Sequence, residues 1–167
     1  INPFGTIQDN TRNYAFYNKC RQLFGSDMSS LDLGCSGGGL VFEFALNGHL
    51  AIGVEGSDRS RRMGRANWRT IPDNLFTCDI TKPFALKDKN NGQPHRFDVI
   101  SCWEVFEHIP ESGLAQLFEN VKAHLKDDGV FIGSISKITE DPLHVTLLDN
   151  DGWTEIFRRN GFAMTVG

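Results

Sequence analysis

The chain has 167 residues, 40% hydrophobic and 23% charged, with a formal net charge of −4. That length and composition allow one domain with a single substantial core. No apolar run approaches the roughly 20 residues needed to span a bilayer, and the acidic balance argues against a broadly basic nucleic-acid surface.

In chain order, a polar N-terminal stretch leads into a helix over about 10–23, and residues 1–28 are expected to form a helical extension of the single domain 1–167. Phe4, Tyr14, Phe16 and Tyr17 in that extension can lid a ligand or pack on a sheet. Strands are predicted near 29–34, 50–55, 74–78, 97–102 and 128–136, with a last one near 162–166. Helices fill the gaps near 38–47, 58–67, 111–125 and 151–160. Asp127-Asp128-Gly129 is a turn before the fifth strand, and Asn160-Gly161 is the C-cap of the last helix. The segment Thr81 to Arg96 is polar and reads as a loop. Strand alternating with helix implies an α/β fold, a doubly wound, mainly parallel Rossmann-like sheet with helices on both faces.

The densest signal is Leu31-Asp-Leu-Gly-Cys-Ser-Gly-Gly-Gly-Leu40, an apolar strand that ends in an acid, breaks into glycines and turns into a helix. Free N–H groups at such a turn face a ligand. A dinucleotide wants G-x-G-x-x-G, but Ser36 stands at the second glycine of a pattern that starts at Gly34 and ends at Gly39. The acid Asp32 suits a ligand with a positive amine better than a pyrophosphate. Glu55 ends the second strand about 20 residues beyond Gly34, where a carboxylate accepts ribose hydroxyls. Asp79 ends the third, and Trp103 ends the fourth before Glu104-Val-Phe-Glu107-His108-Ile-Pro110.

These four motifs, in this order over about Leu31 to Gly167, resemble the class I S-adenosylmethionine-dependent methyltransferases. The resemblance implies S-adenosyl-L-methionine as cofactor. It assigns the methionine part to Asp32, Gly34, Cys35, Ser36 and Gly38, the ribose to Glu55, and the adenine amino group to Asp79, followed by Ile80. Trp103 and the segment after it then lie beside the transferable methyl. The family sheet normally ends with an antiparallel seventh strand, whereas only Phe162 to Gly167 follow the last helix. The sheet is therefore expected to lack that terminal hairpin strand, and a chain that opens on Ile1 is expected to be part of a longer polypeptide.

Methyl transfer to oxygen or nitrogen needs alignment and a base, and His108 and His144 are the candidates. With Glu104 and Glu107 they can also hold a divalent cation. The small-RNA 3′-end 2′-O-methyltransferases, which use a metal, carry a similar E-x-x-E-H completed by a later histidine. The commoner role of such glutamates is to start or cap the next helix, so no metal is assigned. The acceptor is expected to be a small molecule, because Glu104-Val-Phe-Glu-His-Ile-Pro110 resembles members that methylate quinone precursors, sugars and other metabolites, and the Asn/Asp-Pro-Pro-aromatic tetrapeptide usual in nucleobase enzymes does not follow the fourth strand. A metal-assisted RNA 2′-O-methyltransferase and a catalytically idle cofactor-binding module are the alternatives.

The remaining residues read as structure. Arg59, Arg61, Arg62, Arg65 and Arg69 form a solvated helix face. Phe42, Phe44, Phe97, Phe131 and Phe157 fall at core spacing, Trp68 packs in the core or at its edge, and His49, His95 and His124 take no role. Cys20, Cys35, Cys78 and Cys102 form no C-x-x-C pair and read as reduced thiols of a cytoplasmic protein. No signal-peptide pattern opens the chain.

Overall fold

The computed structural model describes residues 9–163. At its centre lie two neighbouring strands, β1 (Ser29–Leu33) and β4 (Phe97–Trp103), buried along nearly their whole length. Strands covered on both faces bury side chains at successive positions, and polar ones here are paired: Asp98 accepts the Ser29 N–H and hydroxyl, and Asp32 the Ser101 hydroxyl. β2 (Leu50–Glu55) and β3 (Leu75–Thr77) extend the sheet on one side, and β5 (Leu125–Ser134) on the other. All pairings are parallel and the order is β3-β2-β1-β4-β5. The chain winds outward from β1 one way, then restarts at β4 and winds the other way. The carboxyl ends of β1 and β4 therefore diverge into a crevice, the usual ligand position in an open α/β sheet.

Side chains alternate between the faces of a strand, so the core divides in two. Leu31, Leu33, Ile100 and Cys102 pack on one face against Leu114, Leu117, Phe118 and Val121 of α4 (Glu111–His124) and Trp153 and Ile156 of α5 (Asn150–Arg159). Ala51, Leu75 and Val99 pack on the other, against Tyr17 and Cys20 of α1 (Tyr14–Phe24) and Leu40, Val41 and Phe44 of α2 (Gly39–Leu46). Burying each large apolar side chain contributes about 1.5–3 kcal/mol. The sheet is doubly wound, with helices on both faces, as the alternation of elements predicts.

The departures from the sequence reading have local causes. α1 starts at Tyr14 because Asn13 caps it, its Oδ1 accepting the Phe16 N–H at 2.9 Å. The predicted helix over 58–67 is only α3 (Arg59–Met63). Gly64 and Ala66 adopt φ of +55° and +43°, and the chain continues as a short 3-10 turn, Ala66–Trp68. The Asp127-Asp128-Gly129 turn lies inside β5 as a bulge: Phe97 pairs with Leu125 but Val99 with Val130, so the extra residues are looped out. Gly161, at φ +85°, follows α5 as expected.

Of the predicted last strand, Phe162 and Ala163 are not in a strand and the rest lies outside the described residues, as does Phe4. The 81–96 segment contains no helix, only an isolated bridge between Lys87 and Pro94. Phe42 is not a core residue; it is half-buried with the Arg12 guanidinium 5.4 Å from its ring centre. Phe131 and Phe157 flank the core, while Phe44 and Phe97 are within it. All four cysteines are free. Among the described residues, no helix is long and apolar enough to cross a membrane.

Candidate active site

The loop after β1 is built by left-handed backbone. Gly34 turns the chain at φ +78°, and its N–H and that of Cys35 both donate to the Val54 carbonyl, at 2.8 and 3.0 Å. A Cβ on Gly34 would run into the Val105 side chain. Ser36 adopts φ +47°, a conformation that a side chain disfavours. Neighbours hold it there. Its N–H donates to Glu55 Oε2 at 2.9 Å, its carbonyl accepts the Trp68 Nε1–H at 2.8 Å, and its hydroxyl donates to the Asp9 carbonyl at 3.2 Å. The serine at the place of the second glycine thus keeps the glycine-like turn.

Gly39 has a packing role as well. A Cβ there would collide with the main-chain carbonyls of Asn10 and Thr11, so the position leaves room for an N-terminal strap, residues 9–13, that crosses the loop. The strap is tied down by Asn67 Nδ2 donating to Asn10 Oδ1 at 2.9 Å and by Arg12 pairing with the buried Glu43 at 2.7 Å.

Over the carboxyl ends of the strands opens a cleft of about 710 Å³. Asp32, Gly34, Cys35, Ser36, Glu55, Asp79, Ile80, Trp103, His108 and His144 all border it, so residues from four strand ends and two loops meet there. Gly38 does not; at φ +79° it is the N-cap of α2. The arginines of the α3 region do not border it either.

Asp32 is buried at the end of β1, with its Oδ1 accepting the Ser101 hydroxyl at 2.7 Å. Burial pushes its pKa up to about 7, against the Ser101 hydrogen bond, and the charges of Asp9 and Glu55 add to the rise. A carboxyl held in this way is completed by a cation. Glu55 accepts the N–H groups of Ser36 and Ser57, at 2.9 and 3.0 Å. A carboxylate so engaged retains lone pairs for hydroxyl donors. Asp79 Oδ1 accepts the Thr81 hydroxyl and N–H, at 2.6 and 2.9 Å, and these bonds hold the carboxyl below the usual range. The Cys35 thiol is buried against the Gly53 main chain, and burial pushes its pKa well up. Trp103 meets Phe16 edge-on, with centroids 5.3 Å apart, so the ring joins the cleft wall to α1.

The other end of the cleft is assembled by two loops. After β4, Glu104 adopts φ +51° while its N–H donates to the Ser134 carbonyl at 3.0 Å, and Phe106–His108 form a 3-10 turn. The loop after β5 returns to this turn: the N–H groups of Val145 and Thr146 both donate to the Glu107 carbonyl, at 2.8 and 3.1 Å. His144 thereby reaches His108, with ring centroids 4.8 Å apart at 72°. His108 Nδ1–H donates to the Leu143 carbonyl at 3.0 Å and His144 Nδ1–H to the Ile138 carbonyl at 2.6 Å. Glu107 is fully buried, its Oε1 accepting the Ser136 N–H at 2.8 Å.

The expected helix-capping glutamates are therefore a misreading of Glu107. The cap of α4 is Pro110, which makes no side-chain capping bond, and the Glu107 carboxylate borders the cleft. Four further contributors escaped the sequence: Ser101 under Asp32, Trp68 on the Ser36 carbonyl, the strap residue Asp9, and Asp141 beside His144. Only Ser101 left a trace, as a polar residue in an apolar strand.

Residues 7–142 match the family described as a methyltransferase domain. The chain belongs to that family. The ubiquinone biosynthesis O-methyltransferase of Neisseria meningitidis is 30% identical over 119 residues, which are 69% of this chain and 47% of the relative. The chain spans about half the length of the curated relatives it matches. A Pyrococcus horikoshii protein of known structure superposes with a TM-score of 0.59 at 25% identity, over 82% of this chain and 61% of that one. An S-adenosylmethionine-bound amino pentose methyltransferase from Micromonospora echinaspora shares the fold, with a TM-score of 0.58 at 20% identity over 75% of this chain and 50% of that one. The resemblance to class I S-adenosylmethionine-dependent methyltransferases is thus borne out. In this methyltransferase domain one cleft has two chemically distinct ends: acids at the tips of β1 and β2 and just beyond β3, and imidazoles with Glu107 in the loops after β4 and β5.

Proposed function

We propose that the domain transfers a methyl group from S-adenosyl-L-methionine to an O, N or C atom of a small-molecule acceptor. The observation that carries this reading is the division of the cleft into those two ends. Asp32 takes the ammonium of the cofactor's methionine part on the turn formed by Gly34, Cys35, Ser36 and Gly38. Glu55 holds the ribose and Asp79 the adenine amino group, with Ile80 and Trp103 flanking. The acceptor enters beside His108 and His144. The cofactor would supply a methyl on a sulfonium, which an acceptor lone pair would take as the carbon–sulfur electrons leave with the neutral thioether. A proton on the acceptor passes to an imidazole Nε2. Alignment of the two reactants supplies much of the rate.

Relatives that act in ubiquinone biosynthesis and on an amino pentose support a small-molecule acceptor. The four free cysteines support a reducing, cytoplasmic setting, and a single cleft shared by the strap and all five strand ends supports one domain. Calorimetric titration with S-adenosylhomocysteine, with NAD in parallel, tests the cofactor. The homocysteine ligand should bind and NAD should not; the reverse overturns the reading. His108→Ala and His144→Ala should keep that affinity within about threefold while methyl transfer falls about 10²–10⁴-fold. Binding without turnover on hydroxyl, amine and carbon acceptors would instead mark an idle module.

A further inference from the structure

Asp79 is exposed and lies in the loop beyond β3, not in the sheet. Thr81 fixes its carboxylate through two bonds, so the place of Asp79 in the cleft depends on what holds the segment 80–86. That support comes from one stripe of α4, made of Gly113, Gln116, Asn120 and His124 at the three- and four-residue spacing of a helix face. Gly113 lies against Thr81, where a Cβ would come within 3.1 Å of the Thr81 Cγ2. Asn120 is buried, and its Nδ2 donates to the Ile80 and Lys82 carbonyls at 2.9 Å each. Gln116 Nε2 donates to Asn120 Oδ1 at 3.1 Å, which sets the direction of that amide.

His124, which the sequence leaves without a role, completes the stripe. Its Nε2 accepts the Leu86 N–H at 3.0 Å, its Nδ1–H donates to the Asn120 carbonyl at 2.7 Å, and its ring stacks on Phe84 with centroids 4.7 Å apart. Burial lowers its pKa against the Asn120 bond, and charge on His95 adds to the fall, so the ring stays neutral and keeps its acceptor. Leu114, Leu117, Phe118 and Val121 already supply the apolar packing of this helix. A buried amide and imidazole add nothing to such packing unless they bind something, and what they bind is the main chain just after Asp79.

We propose that Gly113, Asn120 and His124 are positioning residues for the adenine end of the cleft, α4 setting where Asp79 stands by clamping the segment that follows it; this rests on Asp79 taking the adenine amino group. The three bonds go to two carbonyls and one N–H of the segment, so they fix its backbone path whatever its side chains are. A carboxylate held in place before the ligand arrives spares the ordering that binding would otherwise require.

The test compares, by calorimetry on the full chain, S-adenosylhomocysteine with its 6-deamino analogue, which carries purine in place of adenine. Wild type should prefer the amino form by about 10–100-fold, the worth of a hydrogen bond to a carboxylate. Gly113→Ala favours the helix yet crowds Thr81, Asn120→Ala frees two carbonyls, and His124→Leu removes the acceptor of the Leu86 N–H. Each should cut the preference several-fold while affinity for the purine form stays within about twofold, which also shows that the variant is folded. In an Asp79→Ala background Gly113→Ala should change neither affinity. Equal loss of both ligands, a preference kept by all three variants, or a further loss in the Asp79→Ala background overturns the proposal. Wild type that binds both ligands equally overturns it too and leaves the cofactor reading standing. Wild type that binds neither overturns the cofactor reading, and the proposal with it.

Discussion

Asp32 bears the clearest physical signature of ligand binding, a carboxyl at the end of a central strand held near neutrality by burial. Its folded pKa of about 7 stands above the ordinary 3.8. Below pH 4 the group is protonated in both folded and unfolded chains and costs nothing. As the pH rises from about 4 to about 7 the unfolded chain gives up the proton more readily, so stability falls through that window by roughly 3–5 kcal/mol. Asp32→Asn should remove this decline. In urea titrations of the ligand-free protein at pH 4.5, 6 and 8, the variant should gain on wild type as the pH rises. Its affinity for S-adenosylhomocysteine should drop about 10–100-fold, through loss of a charge-assisted hydrogen bond. Parallel stability curves for the two proteins would show that Asp32 is not destabilised by burial.

Among the elements, the strap over residues 9–13 couples packing to ligand retention. Asp9, Thr11 and Asn13 border the cleft, and Arg12 anchors the strap on Glu43, a carboxylate only 3% exposed. Removing one partner leaves a buried charge uncompensated, although the half-exposed Arg12 side chain discounts the loss through solvent screening. Arg12→Ala should lower stability, read as a lower urea midpoint than wild type. Stopped-flow displacement should show S-adenosylhomocysteine leaving the variant several-fold faster. Unchanged release would mean that the strap packs on the loop without retaining the ligand. The loop after β5 plays the corresponding part at the other end: its bonds to the Glu107 carbonyl, not its sequence, bring His144 to His108.

For the molecule as a whole, a ligand that bridges β1, β2 and the loop after β3 stabilises the entire cooperative fold. S-adenosylhomocysteine at 100 times its Kd should add about 2.7 kcal/mol, raising Tm by roughly 5–10 °C in a domain of this size. NAD should leave Tm unchanged, and an equal shift with both would deny the cleft its selectivity.

The sequence by itself determined the fold class and the cofactor end of the cleft. Apolar strand segments, acids at strand ends and a glycine turn are local patterns, and a parallel sheet gathers its strand ends on one edge whatever the loops do. Local rules failed where the backbone conformation was chosen by distant partners. Left-handed Gly64 and Ala66 cut α3 short, pairing with β4 turned the Asp127-Asp128-Gly129 turn into a bulge, and Gly39, at the cleft wall, also makes room for Asn10 and Thr11. The joining of Glu107, His108 and His144 was decided only in the tertiary structure. The main-chain hydrogen bonds from Val145 and Thr146 to the Glu107 carbonyl that join the two loops carry no side-chain signature. The unpartnered oxygen of Glu107, Oε2, likewise exists only once the fold has taken that carboxylate out of water.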